Sequence, residues 1–189
     1  MSKGHTYTFA RAVQDRLPRG SGVISYIHPL LAFLVGVLHA ALAPVIVIGG
    51  VKPNIVLIAV VLVTVLLGFL PGVVWAFVAG LTANLLVGES LGSVPLTMLL
   101  VAAIVAGGAG TLGRLTWIYP ILAVLMGSAV ADLASLALGQ LVADTPLVAG
   151  LPTDLIVGAA LLNAAIAAVL LYPARAVAQR YAMDEAPAW

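Results

Sequence analysis

The chain has 189 residues, of which 63% are hydrophobic and only 8% are charged, and its mean hydropathy is +1.20. Because the wetted surface of a soluble domain requires about 25% charged residues, this composition excludes a soluble globular domain. The net charge of +1 excludes a nucleic-acid-binding surface, and the lack of cysteine excludes disulfides and thiolate chemistry. Lipid-facing spans are helices or closed barrels, and the alternating pattern of barrel strands is absent. The sequence therefore predicts an all-α, polytopic membrane protein.

The first 22 residues form a basic segment that we expect to lie in the cytoplasm. Its four basic residues outnumber the single acid, Asp15, and such an excess holds a segment on the cytoplasmic side. A short amphipathic helix on the membrane surface is the alternative, because apolar residues recur at three- and four-residue spacing. Those residues are Phe9, Ala10, Val13 and Leu17.

The stretch from Lys52 to Glu89 predicts a transmembrane hairpin. Residues 53–88 carry no formal charge, and as one helix they would extend about 54 Å, beyond a hydrocarbon core of about 30 Å. The run must therefore fold back on itself. We expect the reversal at Pro71, which Gly68 and Gly72 flank, because proline is tolerated at a helix start and glycine ends the preceding turn.

Six membrane spans account for the apolar runs of the whole chain. Their predicted bounds are about Ile24–Ile48, Asn54–Phe69, Pro71–Val87, Pro95–Gly113, Trp117–Leu138 and Thr153–Tyr172, the last ending at Pro173. Residues 23–174 are then a six-helix transmembrane domain, and residues 175–189 are a cytoplasmic tail.

The distribution of charge supports an even number of spans with both termini in the cytoplasm. Seven of the eight basic residues then fall on one side, whereas the other side receives Lys52 with Glu89, Asp144 and Asp154. Basic residues concentrate on the cytoplasmic side of membrane proteins. The seven are Lys3, Arg11, Arg16, Arg19, Arg114, Arg175 and Arg180.

Small residues recur along three spans, where they let another helix approach closely. Each set either packs inside the bundle or receives the transmembrane helix of a partner. The sets are Ala32, Gly36 and Ala40; Gly107, Gly108 and Gly110; and Ala160, Ala164 and Ala168.

Four strongly polar side chains lie away from the ends of the predicted spans: His39, Asn84, Asp132 and Asn163. Asp132 is the most informative, because a carboxylate at membrane depth costs at least a few kcal/mol and must face the interior, a cavity or a partner. It could be a ligand or proton site, a polar anchor for a neighbouring helix, or a structural carboxyl bonded to His39 or to an asparagine. We expect no metal site, cofactor site or catalytic set.

Three groups of residues in the hairpin form a pattern. Lys52, Pro53 and Asn54 open its first span, Gly80 and Asn84 lie four residues apart near the end of its second span, and the turn from Gly88 to Gly92 follows. This pattern resembles the rod shape-determining protein MreD family, in which a basic residue, proline and Asp or Asn open the second span, and a glycine, an acid four residues later and a turn containing Gly and Leu close the third. Two departures are Asn84 in place of the usual acid and Glu89 in place of a small residue.

The resemblance implies a non-enzymatic scaffold of cell-wall elongation in the bacterial cytoplasmic (inner) membrane. It implies MreC as the direct partner, RodA and a class B penicillin-binding protein as members of the same complex, and MreB as an indirect partner. The family is similar in fold to the substrate-binding S subunits of energy-coupling-factor transporters. A vitamin- or micronutrient-binding subunit of that kind is therefore the alternative expectation.

Overall fold

The computed structural model describes residues 21–42, 44–88, 90–112, 117–143 and 153–184. These residues form six α-helices, one for each predicted span, which confirms the all-α fold. The helices are α1 (Ser21–Leu42), α2 (Ile55–Leu67), α3 (Phe69–Val87), α4 (Ser93–Leu112), α5 (Tyr119–Ala143) and α6 (Thr153–Asp184). The basic segment 1–20 lies outside the described residues, as do Glu89, Arg114, Asp144 and the end of the predicted tail.

Helices α3 to α6 are long and apolar enough to cross a membrane, so the chain is a multi-pass membrane protein. The qualifying stretches are Phe69–Val87, Ser93–Gly110, Tyr119–Leu141 and Thr153–Gln179. The apolar helices Ile27–Leu42 and Ile55–Leu67 are shorter. Six crossings and cytoplasmic termini therefore stay predictions.

Helix α2 is the centre of the bundle and contacts each of the other five helices. Its 13 residues span only about 20 Å, less than a hydrocarbon core of about 30 Å. Irregular backbone at membrane depth is tolerated where protein surrounds it, so a short helix fits this position. Buried residues on most sides of α2 form much of the core: Val56, Leu57, Ile58, Val60, Val61, Leu62 and Thr64.

Helix α1 ends at Leu42, so the prediction that the first span continues to Ile48 is wrong. Pro44 explains the difference, because proline has no N–H to donate and its ring crowds the carbonyl four residues earlier. Beyond it the chain makes a tight turn closed by backbone hydrogen bonds of 2.9 and 3.0 Å between Ile48 and Val51. This turn carries the chain to α2.

The reversal between α2 and α3 occurs at Gly68, three residues before the predicted Pro71. Gly68 has φ 103° and ψ 179°, a backbone conformation essentially restricted to glycine, and α3 begins at the next residue. Pro71 lies in the first turn of α3, and its lack of an N–H costs nothing there because the N–H groups of a first turn have no acceptor within the helix. The chain therefore reverses close to the predicted position, but glycine makes the turn, and the crossing of the membrane by both helices stays a prediction.

Helix α6 continues through Pro173 to Asp184, so the prediction that proline ends it is wrong. Proline removes the hydrogen bond to the carbonyl of Val169, but Val169 is 75% exposed and lies on the outside of the bundle. The residues that follow are strong helix formers, mostly alanine and arginine, which favours continuation.

Interhelical contacts at Gly36, Gly72 and Gly80 require glycine, and the first and last of these join α3 to α1 and α4. A Cβ added at Gly36 of α1 would lie 2.7 Å from the Cβ of Thr82 on α3, and one added at Gly80 would lie 2.9 Å from the Cα of Pro95 on α4. Small residues allow this close approach between helices in lipid. They fix α3 between α1 and α4.

The backbones of α1 and α6 do not approach within 8 Å of each other, measured between Cα atoms of the described residues. Between them α2 borders an apolar groove of about 410 Å³, which includes Leu31, Ile58, Leu66 and Val177. At the opposite end of α2, the loop before it meets the ends of α3 and α5 and the start of α6 around a polar cavity. That polar end positions the candidate site.

Candidate functional site

A hydrogen-bond network joins the start of α2 to α5 and α6. The backbone N–H of Asn54 donates to Oδ1 of Asn163 over 2.8 Å, and Nδ2 of Asn163 donates to Oγ of Ser128 over 2.8 Å. The side chain of Asn54 caps α2 by accepting from the N–H of Leu57 over 3.0 Å. Asn163 and Ser128 are each only 1% exposed, so this network is a buried structural junction.

Asn84 fixes the loop between α3 and α4. Its Oδ1 accepts from the N–H of Gly92 over 2.7 Å, and its Nδ2 donates to the carbonyl of Ser90 over 3.2 Å. Gly88 and Gly92 have φ values of 77° and 91°, which favour glycine. The motif residues of this loop therefore shape the loop, and an amide supplies both the donor and the acceptor that the backbone needs.

Two cavities at this end of the bundle share three lining residues, Lys52, Asp132 and Ala159. Their volumes are about 640 and 460 Å³, and we call them together the polar cleft. Its polar lining comes from the α1–α2 loop, the α3–α4 loop and four helices. The polar residues are His39, Lys52, Asn54, Ser90, Ser93, Asp132, Ser135 and Asn163.

Asp132 has an unused hydrogen-bonding atom in the polar cleft. Its Oδ2 is shielded from solvent and accepts no hydrogen bond from any described residue. Nδ1 of His39, which lines the second cavity, is likewise shielded from solvent and has no hydrogen-bond partner among the described residues. No ion pair joins Asp132 to Lys52 within the described chain. Among the alternatives for Asp132, a bond to Asn84 or Asn163 is not formed, since both amides bond elsewhere.

The three small-residue sets lie in different surroundings. Ala32 and Gly36 are buried, and Gly36 contacts α3, so this set packs inside the bundle, with Ala40 lining the polar cleft. Ala160 and Ala164 are also buried, whereas Ala168 is exposed.

One glycine of α4 lies close to a neighbouring helix, whereas the other two do not. A Cβ at Gly108 would lie 2.9 Å from the hydroxyl of Tyr119, which donates to the carbonyl of Val105. At Gly107 and Gly110 an added Cβ would meet no described atom within 4 Å, and both residues are exposed. These two glycines face outward.

The opposite end of the bundle carries one further contact that the sequence analysis did not identify. The guanidinium of Arg175 lies 4.2 Å from the centroid of the Trp117 ring, a cation–π contact that joins α6 to the turn before α5. Arg175 and Trp117 both border predicted cytoplasmic loops, and such a pairing needs the three-dimensional arrangement to be recognised.

Metal and acid–base chemistry have little support in the described part of the chain. No group of three or more His, Asp or Glu side chains is close enough there to hold a metal ion. Asp132 is the only acid that lines the polar cleft among the described residues, so a pair of carboxylates is not brought together. The cleft is chemically suited to binding, through hydroxyls, amides and one charge of each sign.

Comparisons with known proteins returned no match: neither a family description, nor a curated protein, nor a solved structure is similar to this chain.

Proposed function

We propose that the chain is a non-enzymatic membrane scaffold of the MreD type, located in the bacterial cytoplasmic membrane. It crosses the membrane six times with both termini in the cytoplasm and binds MreC. Through MreC it supports peptidoglycan synthesis by RodA and a class B penicillin-binding protein, and thereby cell shape, with MreB as an indirect partner.

The outward glycines Gly107 and Gly110 carry this proposal. Glycine in a helix costs about 1 kcal/mol relative to alanine, and inward glycines such as Gly36 and Gly80 offset that cost by close packing. Gly107 and Gly110 make no such contact with described residues. Close contact with the transmembrane helix of another protein would explain these two glycines, because contact with lipid alone does not offset the cost of glycine in a helix.

The motif residues give a second line of support. Segments 52–54 and 84–92, which carry the resemblance, are far apart in sequence but meet at one end of the bundle, where Lys52 and Ser90 line the same cavity. The described chain also has little mass outside its helices. A protein built in this way has helix faces and short loops as its working surfaces.

Replacement of the outward glycines tests the proposal. Gly107→Leu combined with Gly110→Leu should reduce the amount of MreC that co-purifies from solubilised membranes by about tenfold, because two bulky side chains hold a partner helix away. Ala137→Leu is the control, since it adds a bulky apolar side chain at an exposed position of α5. An unchanged yield of MreC with the double variant would reject α4 as the docking face.

Substrate binding in an energy-coupling-factor transporter is the second candidate, and the polar cleft is the observation that favours it. Mass spectrometry of the proteins co-purified with the wild-type chain separates the two candidates. MreC, RodA and a penicillin-binding protein support the scaffold. An ATPase pair with a transmembrane coupling subunit, without MreC, would contradict the scaffold and support the transporter.

A further inference from the structure

The polar cleft holds two opposite charges that do not neutralise each other. Lys52 and Asp132 line both of its cavities, yet no ion pair joins them within the described residues. Opposite charges in a region of low dielectric attract strongly and pair when their side chains can reach. Two charges kept apart across a cavity are suited to a ligand that carries both signs.

The surroundings of Asp132 specify the group that it would bind. Its Oδ2 is buried and accepts no hydrogen bond from any described residue, and Nδ2 of Asn163, which lines the same cavity, donates to Ser128 instead. A carboxylate oxygen without a donor at membrane depth is costly, and a primary ammonium supplies both charge and N–H groups. Lys52, which is exposed at the mouth of the cleft, suits a phosphate or carboxylate.

The walls of the cleft indicate how such a ligand is presented. Beside the polar residues, the first cavity is lined by Leu136 of α5 and Leu155 of α6, which are 37% and 52% exposed. The cleft therefore has an apolar wall next to its polar residues, which suits a ligand that carries an apolar part. Its two volumes, about 640 and 460 Å³, lie in the range of small-ligand sites.

We propose that the polar cleft binds a dipolar ligand, whose ammonium group contacts Asp132 and whose anionic group contacts Lys52. A phosphoethanolamine group has this chemistry. It has two sources, the headgroup of phosphatidylethanolamine in the membrane and a free solute, and the apolar wall favours the headgroup. The site is separate from the outward glycines of α4 and does not depend on the proposed scaffold function.

Lipid retention in nanodiscs tests the proposal. The full chain is reconstituted in nanodiscs that contain equal amounts of phosphatidylethanolamine and phosphatidylglycerol, released, and analysed by native mass spectrometry. We expect phosphatidylethanolamine to be retained preferentially. Asp132→Asn and Lys52→Gln should each reduce that retention by roughly tenfold, which is typical for loss of a charge-assisted contact.

Two further variants and a solute measurement make the result decisive. Asp154→Asn removes an exposed acid at the start of α6 that does not line the cleft, and it should retain the lipid. Lys52→Arg keeps the charge and should also retain it. If Asp132→Asn fails to fold, the exposed position Lys52 carries the test alone, with Lys52→Arg as its control.

A second arm titrates phosphoethanolamine into protein held in phosphatidylglycerol nanodiscs. Binding that Lys52→Gln abolishes, without selective lipid retention, identifies a free solute as the source. Absence of both selective lipid retention and solute binding overturns the proposal, and so does equal retention by wild type and by Lys52→Gln. The amount of MreC that co-purifies with Asp132→Asn and with Lys52→Gln tests the scaffold function separately. We expect that amount to equal the wild-type amount.

Discussion

At the scale of single residues, the polar groups in the helices have distinct structural tasks. Asn54, Asn84 and Asn163 satisfy backbone groups at helix starts and loops, where water is scarce. Asp132 and His39 keep buried atoms without partners among the described residues. The asparagines therefore hold the fold, and Asp132 is the residue that the proposed ligand would contact.

Asn163→Ala should lower the free energy of unfolding by about 1–2 kcal/mol, because the N–H of Asn54 and the hydroxyl of Ser128 both lose their partner. Thermal unfolding in detergent measures the loss. Gln179→Ala, at an exposed position of α6, is the control and should have no effect. Equal stability of wild type and Asn163→Ala would show that the network contributes nothing.

At the scale of helices, glycine determines where elements turn and cross. Gly68 makes the α2–α3 reversal through a positive φ, and Gly36 brings α1 onto α3. The sequence placed Gly68 beside the predicted reversal and Gly36 in a set of small residues. It assigned the turn itself to Pro71, and it left open whether Gly36 packs inside the bundle or against a partner. A one-dimensional pattern shows that a helix has a small-residue face, whereas the neighbour of that face depends on the whole bundle.

The reversal gives a direct comparison between Gly68 and Pro71. Gly68→Ala should destabilise the protein by about 1–3 kcal/mol, because a Cβ is strained at φ 103°. Pro71→Ala should change stability little, since the first turn of a helix accepts most residues. Gly139→Ala, in the helical backbone of α5 with open space around it, is the control. A larger loss for Pro71→Ala than for Gly68→Ala would restore proline as the turn residue.

The α1–α3 crossing makes a separate prediction. Gly36→Leu should destabilise the fold by about 1–3 kcal/mol or more, because its side chain would overlap Thr82 and the carbonyl of Ala79. Gly107→Leu should not destabilise the fold and should stabilise it slightly, because no described residue lies within 4 Å of the added Cβ and leucine is the better helix former. Thermal melts of the two variants should therefore differ, and equal melting temperatures would contradict the assignment of inward and outward glycines.

At the scale of the whole molecule, the apolar composition and the position of glycine and proline were sufficient to predict six helices and the central hairpin. The sequence could not show that α2, the shortest helix, is the one that contacts all the others. It also could not show that Lys52, Ser90, Asp132 and Ser135 share a cavity, because these residues are distributed over three separate segments. Hydrophobic periodicity predicts elements, and the site arises only from how they pack.

The whole account depends on both the α1–α2 and α3–α4 loops lying on the non-cytoplasmic side, and the α4–α5 turn lying in the cytoplasm. Because the chain contains no cysteine, Val47→Cys, Leu91→Cys and Ile118→Cys each introduce one unique thiol. Labelling of intact cells with a membrane-impermeant maleimide tests the arrangement most directly. We expect positions 47 and 91 to react in intact cells and position 118 to react only after permeabilisation. Reaction of position 118 in intact cells, with protection of positions 47 and 91, would contradict the account.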